Sequence, residues 1–85
     1  MNFKIEICVK LKNDVLDPQG KAIQKAAYNM GLKNISEINQ GKFFEIVIRN
    51  ANNLDKAKKI ANELADKLLV NNIIENYEIA SVKKI

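Results

Sequence analysis

The 85-residue chain has no histidine and no tryptophan, one cysteine (Cys8), one proline and three glycines. Each shortage closes a route to chemistry. Without histidine the chain lacks the commonest general base and the commonest transition-metal ligand. A lone cysteine excludes an internal disulfide and, with no histidine beside it, any Cys/His metal centre. Such cysteine usage suits a reducing compartment. No apolar run approaches the ~18 residues of a membrane span, and the charges within Met1–Glu6 do not suit a secretory leader. A cytoplasmic protein with no membrane partner is expected. Arginine is nearly absent too: thirteen lysines and one arginine stand against ten acids, for a net charge of +4. Nucleic-acid sites concentrate arginine and aromatics on one face, whereas these lysines are spread and interleaved with acids. The basic balance favours solubility, and no nucleic-acid partner is expected.

What the chain does have is pattern. Its length allows one domain, residues 1–85, and one this small buries only roughly 60–65 % of its unfolded surface, which invites association. Phe3, Ile5, Ile7, Val9 and Leu11 alternate with Lys4, Glu6, Cys8, Lys10 and Lys12, the period of a half-buried strand. Asp17 is placed to N-cap a helix that opens on Pro18 and runs to about Met30. Ala22, Ile23, Ala26, Ala27 and Met30 line its apolar side, and Gly31 is placed to close it. Ile35 to Gln40 read as a weaker strand, Gln40-Gly41 as a hairpin turn, and Lys42 to Arg49 as a strand with Phe44, Ile46 and Ile48 on one face. Asn52 or Asn53 caps a second helix reaching about Leu69, with Ala57, Ile60, Ala61, Leu64 and Leu68 at helical spacing. Asp55–Lys59 and Glu63–Lys67 are favourable i,i+4 pairs on it. Tyr77 to about Lys83 is the last strand. The order β-α-β-β-α-β predicts an α+β fold, a two-layer sandwich whose antiparallel sheet carries both helices on one face, as in ferredoxin-like domains.

Candidate sites are few. Cys8 lies mid-strand with nothing to lower its pKa and reads as structural. Asp14 and Asp17 could share a cation, but capping occupies Asp17 more simply. The helix start Asp17-Pro18-Gln19-Gly20-Lys21 offers amides to an anion, yet the Asp17 carboxylate competes for them and no phosphate-loop spacing is present. Gly20 costs the first turn roughly 1 kcal/mol against alanine and marks a close approach. The helix start therefore reads as a contact surface, and Gly20→Leu is expected to weaken association while leaving the module folded. Gly41-Lys42-Phe43 leads a strand that faintly resembles the aromatic strand of RNA-recognition domains, but Phe43 shares its face with Glu45. Ile73 and Ile74 look exposed. Tyr77 suits either core packing with a bonded hydroxyl or an interface anchor.

With these residues in place, the sequence resembles the PurS family, the small subunit of phosphoribosylformylglycinamidine (FGAM) synthase. The likeness spans nearly the whole chain. It rests on Val15-Leu16-Asp17-Pro18-Gln19-Gly20-Lys21-Ala22-Ile23, on Gly41-Lys42, and on Lys67 through Ile79. Val70-Asn71-Asn72 replaces the family's usual Ala-Asn-Pro, Asn76 stands where an aspartate is common, and Asn39 where an arginine often precedes Gly-Lys. The resemblance implies a subunit with no catalytic, cofactor or metal residues of its own. Its partners would be PurL, which uses ATP to activate an amide oxygen, and PurQ, which releases ammonia from glutamine, with Mg and glutamine used by the complex. It also implies self-association as a dimer or tetramer. The expected interface residues are Asp17, Pro18, Gln19, Gly20, Lys21, Gly41, Lys42, Phe43, Ile73, Ile74 and Tyr77. Two other classes share the element order: an ACT-type ligand-sensing module, whose loop after strand one Asp17–Gly20 could mimic, and the RNA module already weighed.

Overall fold

The computed structural model describes all 85 residues. Five elements follow in order: β1 (Phe3–Leu11), α1 (Pro18–Asn29), β2 (Gly41–Ile48), α2 (Leu54–Leu64, continued by a π-helical turn over Ala65–Leu69) and β3 (Glu75–Lys84). The strands form an antiparallel sheet in the order β2-β1-β3. The α+β class expected from the sequence is the class observed.

The alternation in β1 becomes the core directly. Phe3, Ile5, Ile7 and Val9 are buried in the central strand, while Lys4, Glu6 and Cys8 on its other side are half-buried. Paired residues in an antiparallel ladder share a face, so Phe44, Ile46 and Ile48 of β2 join the same layer. On β3, Tyr77, Ile79 and Val82 do likewise. The register shifts by one residue between Glu6 and Ile7, so Ala80 is an extra residue in β3. That bulge lets Val82 return to the core side where strict alternation would have turned it outward.

Above this layer α2 presents Ala57, Ala61 and Ala65, all fully buried. Small side chains let the helix axis approach the sheet closely. Asn53 caps the helix through its side-chain oxygen, which accepts from the Lys56 amide at 2.8 Å. At the other end the Val70 amide donates to the Ala65 carbonyl. This wider turn brings Leu69 and Val70 against the core and leaves Leu68 exposed. Ile60, expected inside, is 39 % exposed. Of the two anticipated helical pairs only Lys67–Glu63 forms, at 2.9 Å.

Two further expectations are corrected. Ile35–Gln40 is not a strand, and Gln40-Gly41 is not a turn: Gly41 already pairs with Lys10 as the first residue of β2. Nor is the apolar side of α1 buried. Gly20 is its only buried residue, and Ile23, Tyr28 and Met30 are 48, 57 and 77 % exposed. Helix α1 closes on Gly31 (φ 94°) with Gly31 donating to Tyr28 and Leu32 to Ala27, a complete Schellman motif. The chain then returns beside the helix as an extended strap, residues 32–40. Helix and strap form an arm on the sheet, and the radius of gyration is 16.5 Å against roughly 12 Å for a compact chain of this length.

Candidate functional site

The arm is fastened where β1, α1 and β2 meet. The Asp17 carboxylate accepts from the Gly20 amide at 2.9 Å and, with its other oxygen, from the Gln40 amide at 2.8 Å. One side chain thus caps α1 and ties the end of the strap to the start of the helix. The Gln40 amide, then that of Gly20, hold the Asp17 carboxyl below its ordinary range. Farther out, the Gln24 side-chain amide donates to the Ser36 carbonyl at 2.9 Å.

Gly20 is explained by this fastening. A Cβ there would collide with the backbone carbonyl of Ile38 and stand 2.7 Å from an Asp17 oxygen. The close approach inferred from the glycine exists, and the chain's own strap makes it. Gly20→Leu would therefore disrupt the arm itself, which corrects the expectation that it leaves the module intact. Gly41 has the same character, because a Cβ would meet the carbonyl of Val9 in the paired strand.

Some of the other anticipated interface residues lie at the same end of the sheet. Pro18, Gln19, Gly41 and Lys42, with Asp17 and Glu75, border a cleft of about 220 Å³. Pro18, Gln19 and Lys21 are exposed on α1. Lys42 reaches across β1 to Glu75 at 3.2 Å. Glu75 is the buried carboxylate that sequence reasoning missed. It accepts the Asn71 amide at 2.8 Å, and that bond first, then Lys42, lowers its pKa despite burial. Its signal was a lone acid closing the apolar run Ile73-Ile74.

Ile73 is 83 % exposed at the tip of the turn before β3, and Ile74 anchors that turn by accepting the Lys12 amide. The Asn72 side chain donates to the Asp66 carbonyl at 3.0 Å, satisfying an end group of the π turn. A proline at this position could not make that bond. Tyr77 resolves toward packing: it is half-buried against the core, and its hydroxyl meets the Asn62 side-chain oxygen at 3.1 Å. Phe43 stands apart on the uncovered face, 58 % exposed and paired with Cys8. Nearby on that face Lys4 and Glu45 form an exposed pair at 3.3 Å.

An exposed set of apolar residues on the arm was not anticipated. Ile23, Met30, Leu32 and Ile35 are all exposed along the arm. Helical periodicity had marked Ile23 and Met30 as buried, which is right about their chemistry and wrong about what covers them. Large apolar side chains left exposed together mark a candidate interaction site. Nothing in the arrangement pairs a nucleophile with a base; it is built for contact.

Residues 4–83 match the PurS family, described as phosphoribosylformylglycinamidine (FGAM) synthase. The PurS subunit of Methanocaldococcus jannaschii is 37 % identical over 83 residues, covering 98 % of both chains. That of Bacillus subtilis is 38 % identical over 76 residues, covering 88 % of this chain and 87 % of its own. Among solved structures, Thermus thermophilus PurS superposes with a TM-score of 0.88 at 30 % identity, covering 100 % of this chain and 99 % of that one. The PurLQS structure from Thermotoga maritima matches at 0.86 and 28 % identity, covering 100 and 99 %.

Proposed function

This chain belongs to the PurS family, the small non-catalytic subunit of FGAM synthase in purine biosynthesis, and on that premise we propose that it joins the ATP-dependent synthetase PurL to the glutaminase PurQ. It acts by surface and not by side-chain chemistry. The observation that carries this reading is the arm, whose exposed Ile23, Met30, Leu32 and Ile35 require a protein surface to cover them.

In the complex, PurL activates the amide oxygen of formylglycinamide ribonucleotide with ATP and Mg, and ammonia from glutamine replaces that oxygen. Ammonia crossing between sites must meet no bulk water, where it would be protonated and lost, so the seam between subunits has to exclude solvent. A rigid module presenting apolar flanks serves that purpose. Part of the same surface joins copies of this chain to one another, and the assembly works in the cytoplasm.

The test is reconstitution. PurL and PurQ are assayed for glutamine-dependent amidine formation with and without this chain, and the three are co-purified. Glutamine-dependent turnover that appears only on addition of the chain, with all three eluting together, is expected. Equal turnover without it overturns the proposal.

A further inference from the structure

Across the chain as a whole lysines are interleaved with acids, but on the arm they are not. No aspartate or glutamate lies between Pro18 and Ser36. Lys21, Lys25 and Lys33 give this stretch a formal charge of +3, out of +4 for the entire chain. All three are exposed, and none takes part in an ion pair. The nearest acid, Asp17, has both carboxylate oxygens engaged by the Gly20 and Gln40 amides. Helix α2 and its π turn show what a merely solvated face looks like. Their lysines stand among Asp55, Glu63 and Asp66, and Lys67 meets Glu63 at 2.9 Å. On α1, Lys21 and Lys25 stand one turn apart as a like-charged i,i+4 pair, which weakens a helix unless an opposite charge arrives.

The three cations share one side. At roughly 100° per residue, Lys21, Lys25 and Tyr28 fall within about 60° of arc on α1, and Ile23 and Met30 lie about 180° from them. Lys33 lies beyond the helix, but its ammonium sits 5.3 Å from the centre of the Tyr28 ring. That cation–π contact brings it into the same row. The arm therefore has an apolar face and, back to back with it, a basic one. Covering the first leaves the second open to a different partner.

We propose that the row Lys21, Lys25, Lys33 docks on a carboxylate-bearing surface of the glutaminase PurQ. This rests on the subunit reading above and assigns one face of the arm to one partner. Charge complementarity selects the occupant. A second copy brings an arm of the same charge, and the rest of its residues sum to +1. The synthetase must draw in ATP and a ribonucleotide, both polyanions, which an acidic face beside its site would repel. Glutamine carries charges that cancel at neutral pH, so a glutaminase can bear such a face without that cost. A nucleic acid is a poorer match, because the one ring in the row is already covered by Lys33 and no arginine lies on the arm.

The experiment compares the parent chain with two triple reversals of equal net charge, Lys21→Glu/Lys25→Glu/Lys33→Glu on the arm and Lys56→Glu/Lys58→Glu/Lys59→Glu on α2. Association with PurQ and with PurL is followed over a salt series. The parent complex is also treated with a carbodiimide, which joins lysine amines to carboxylates in direct contact and needs no variant to fold. The arm reversal should slow association with PurQ about 10-fold or more and flatten its salt dependence. The α2 reversal should change it no more than about 2-fold, since salt screens charges remote from the contact. Amide cross-links should run from Lys21, Lys25 or Lys33 to aspartates or glutamates of PurQ. An arm reversal that associates as fast as the parent, or equal losses from both reversals, overturns the proposal. So do cross-links from these lysines to PurL or to a second copy, or RNA binding by the row in place of PurQ. A parent chain that binds neither large subunit overturns the subunit reading itself, an outcome distinct from all of these.

Discussion

Replacing Gly20 by alanine sets two effects of opposite sign against each other. Helix propensity alone favours alanine by up to about 1 kcal/mol. The structure opposes it, because the new methyl group meets the Ile38 carbonyl and an Asp17 oxygen at 2.7 Å. A backbone carbonyl cannot rotate away as a side chain can. It is also pinned on both sides, by the Gln40 amide on Asp17 at 2.8 Å and by the Gln24 side chain on Ser36 at 2.9 Å. Overpacking against such a wall costs about 1–3 kcal/mol. Taking the upper end and subtracting the propensity gain gives a net loss of about 2 kcal/mol. Urea unfolding at one fixed protomer concentration measures it, since association shifts apparent stability. Amide exchange at Gln40 locates it, because a displaced strap frees that N–H. A Gly20→Ala protein more stable than the parent, with the Gln40 amide still protected, would refute the reasoning: the glycine would then be incidental.

Ile5 is completely buried at the centre of the sheet, opposite Ile46 and Val82. Ile5→Ala is expected to cost about 2–5 kcal/mol, a large share of the stability of so small a domain, and thermal unfolding would show it. Glu75, whose folded pKa lies below its ordinary 4.5, binds its proton less readily when folded. Its contribution is therefore full above that ordinary value and lost as pH falls through the lowered one. Glu75→Gln should flatten the acid side of the stability–pH curve, measured by urea midpoints from neutral pH downward. An unchanged acid limb would place the loss in other carboxyls, such as Asp17 and Glu63, which are lowered too. Tyr77→Phe removes the hydroxyl that meets Asn62 at 3.1 Å and should cost about 0.5–1.5 kcal/mol without changing affinity for the large subunits. A change in affinity alone would make Tyr77 the interface anchor instead.

Local rules governed most of what could be read in advance. The alternation of Phe3 to Leu11, the Asp17 cap, a cap at Asn52 or Asn53 and the Gly31 closure all depend on residues within a turn or two of one another, and all appear, the second cap at Asn53. The failures share a cause. Apolar periodicity in α1 records that Ile23 and Met30 face something hydrophobic, and it reads the same whether that surface lies in this chain or another. Ile35–Gln40 has strand-forming chemistry but no strand within its own chain to join. Gly20 was correctly singled out as a point of close approach, yet which atom approached was set by the path of a segment eighteen residues downstream (Ile38). The Glu75–Lys42 bridge spans a strand that lies between its two ends in space and far from both in sequence, so no spacing rule could expose it.

The middle strand of the sheet is the first to be synthesised, and its two flanks come from opposite parts of the chain. Strand β1 pairs on one side with β2 and on the other with β3, so its two edges are not both paired on the ribosome until β3 has emerged, and its apolar face waits for α2. Ladders between such distant segments form slowly. Until then Ile5, Ile7 and Val9 are bare on the nascent chain, and chaperone demand should concentrate on those three positions.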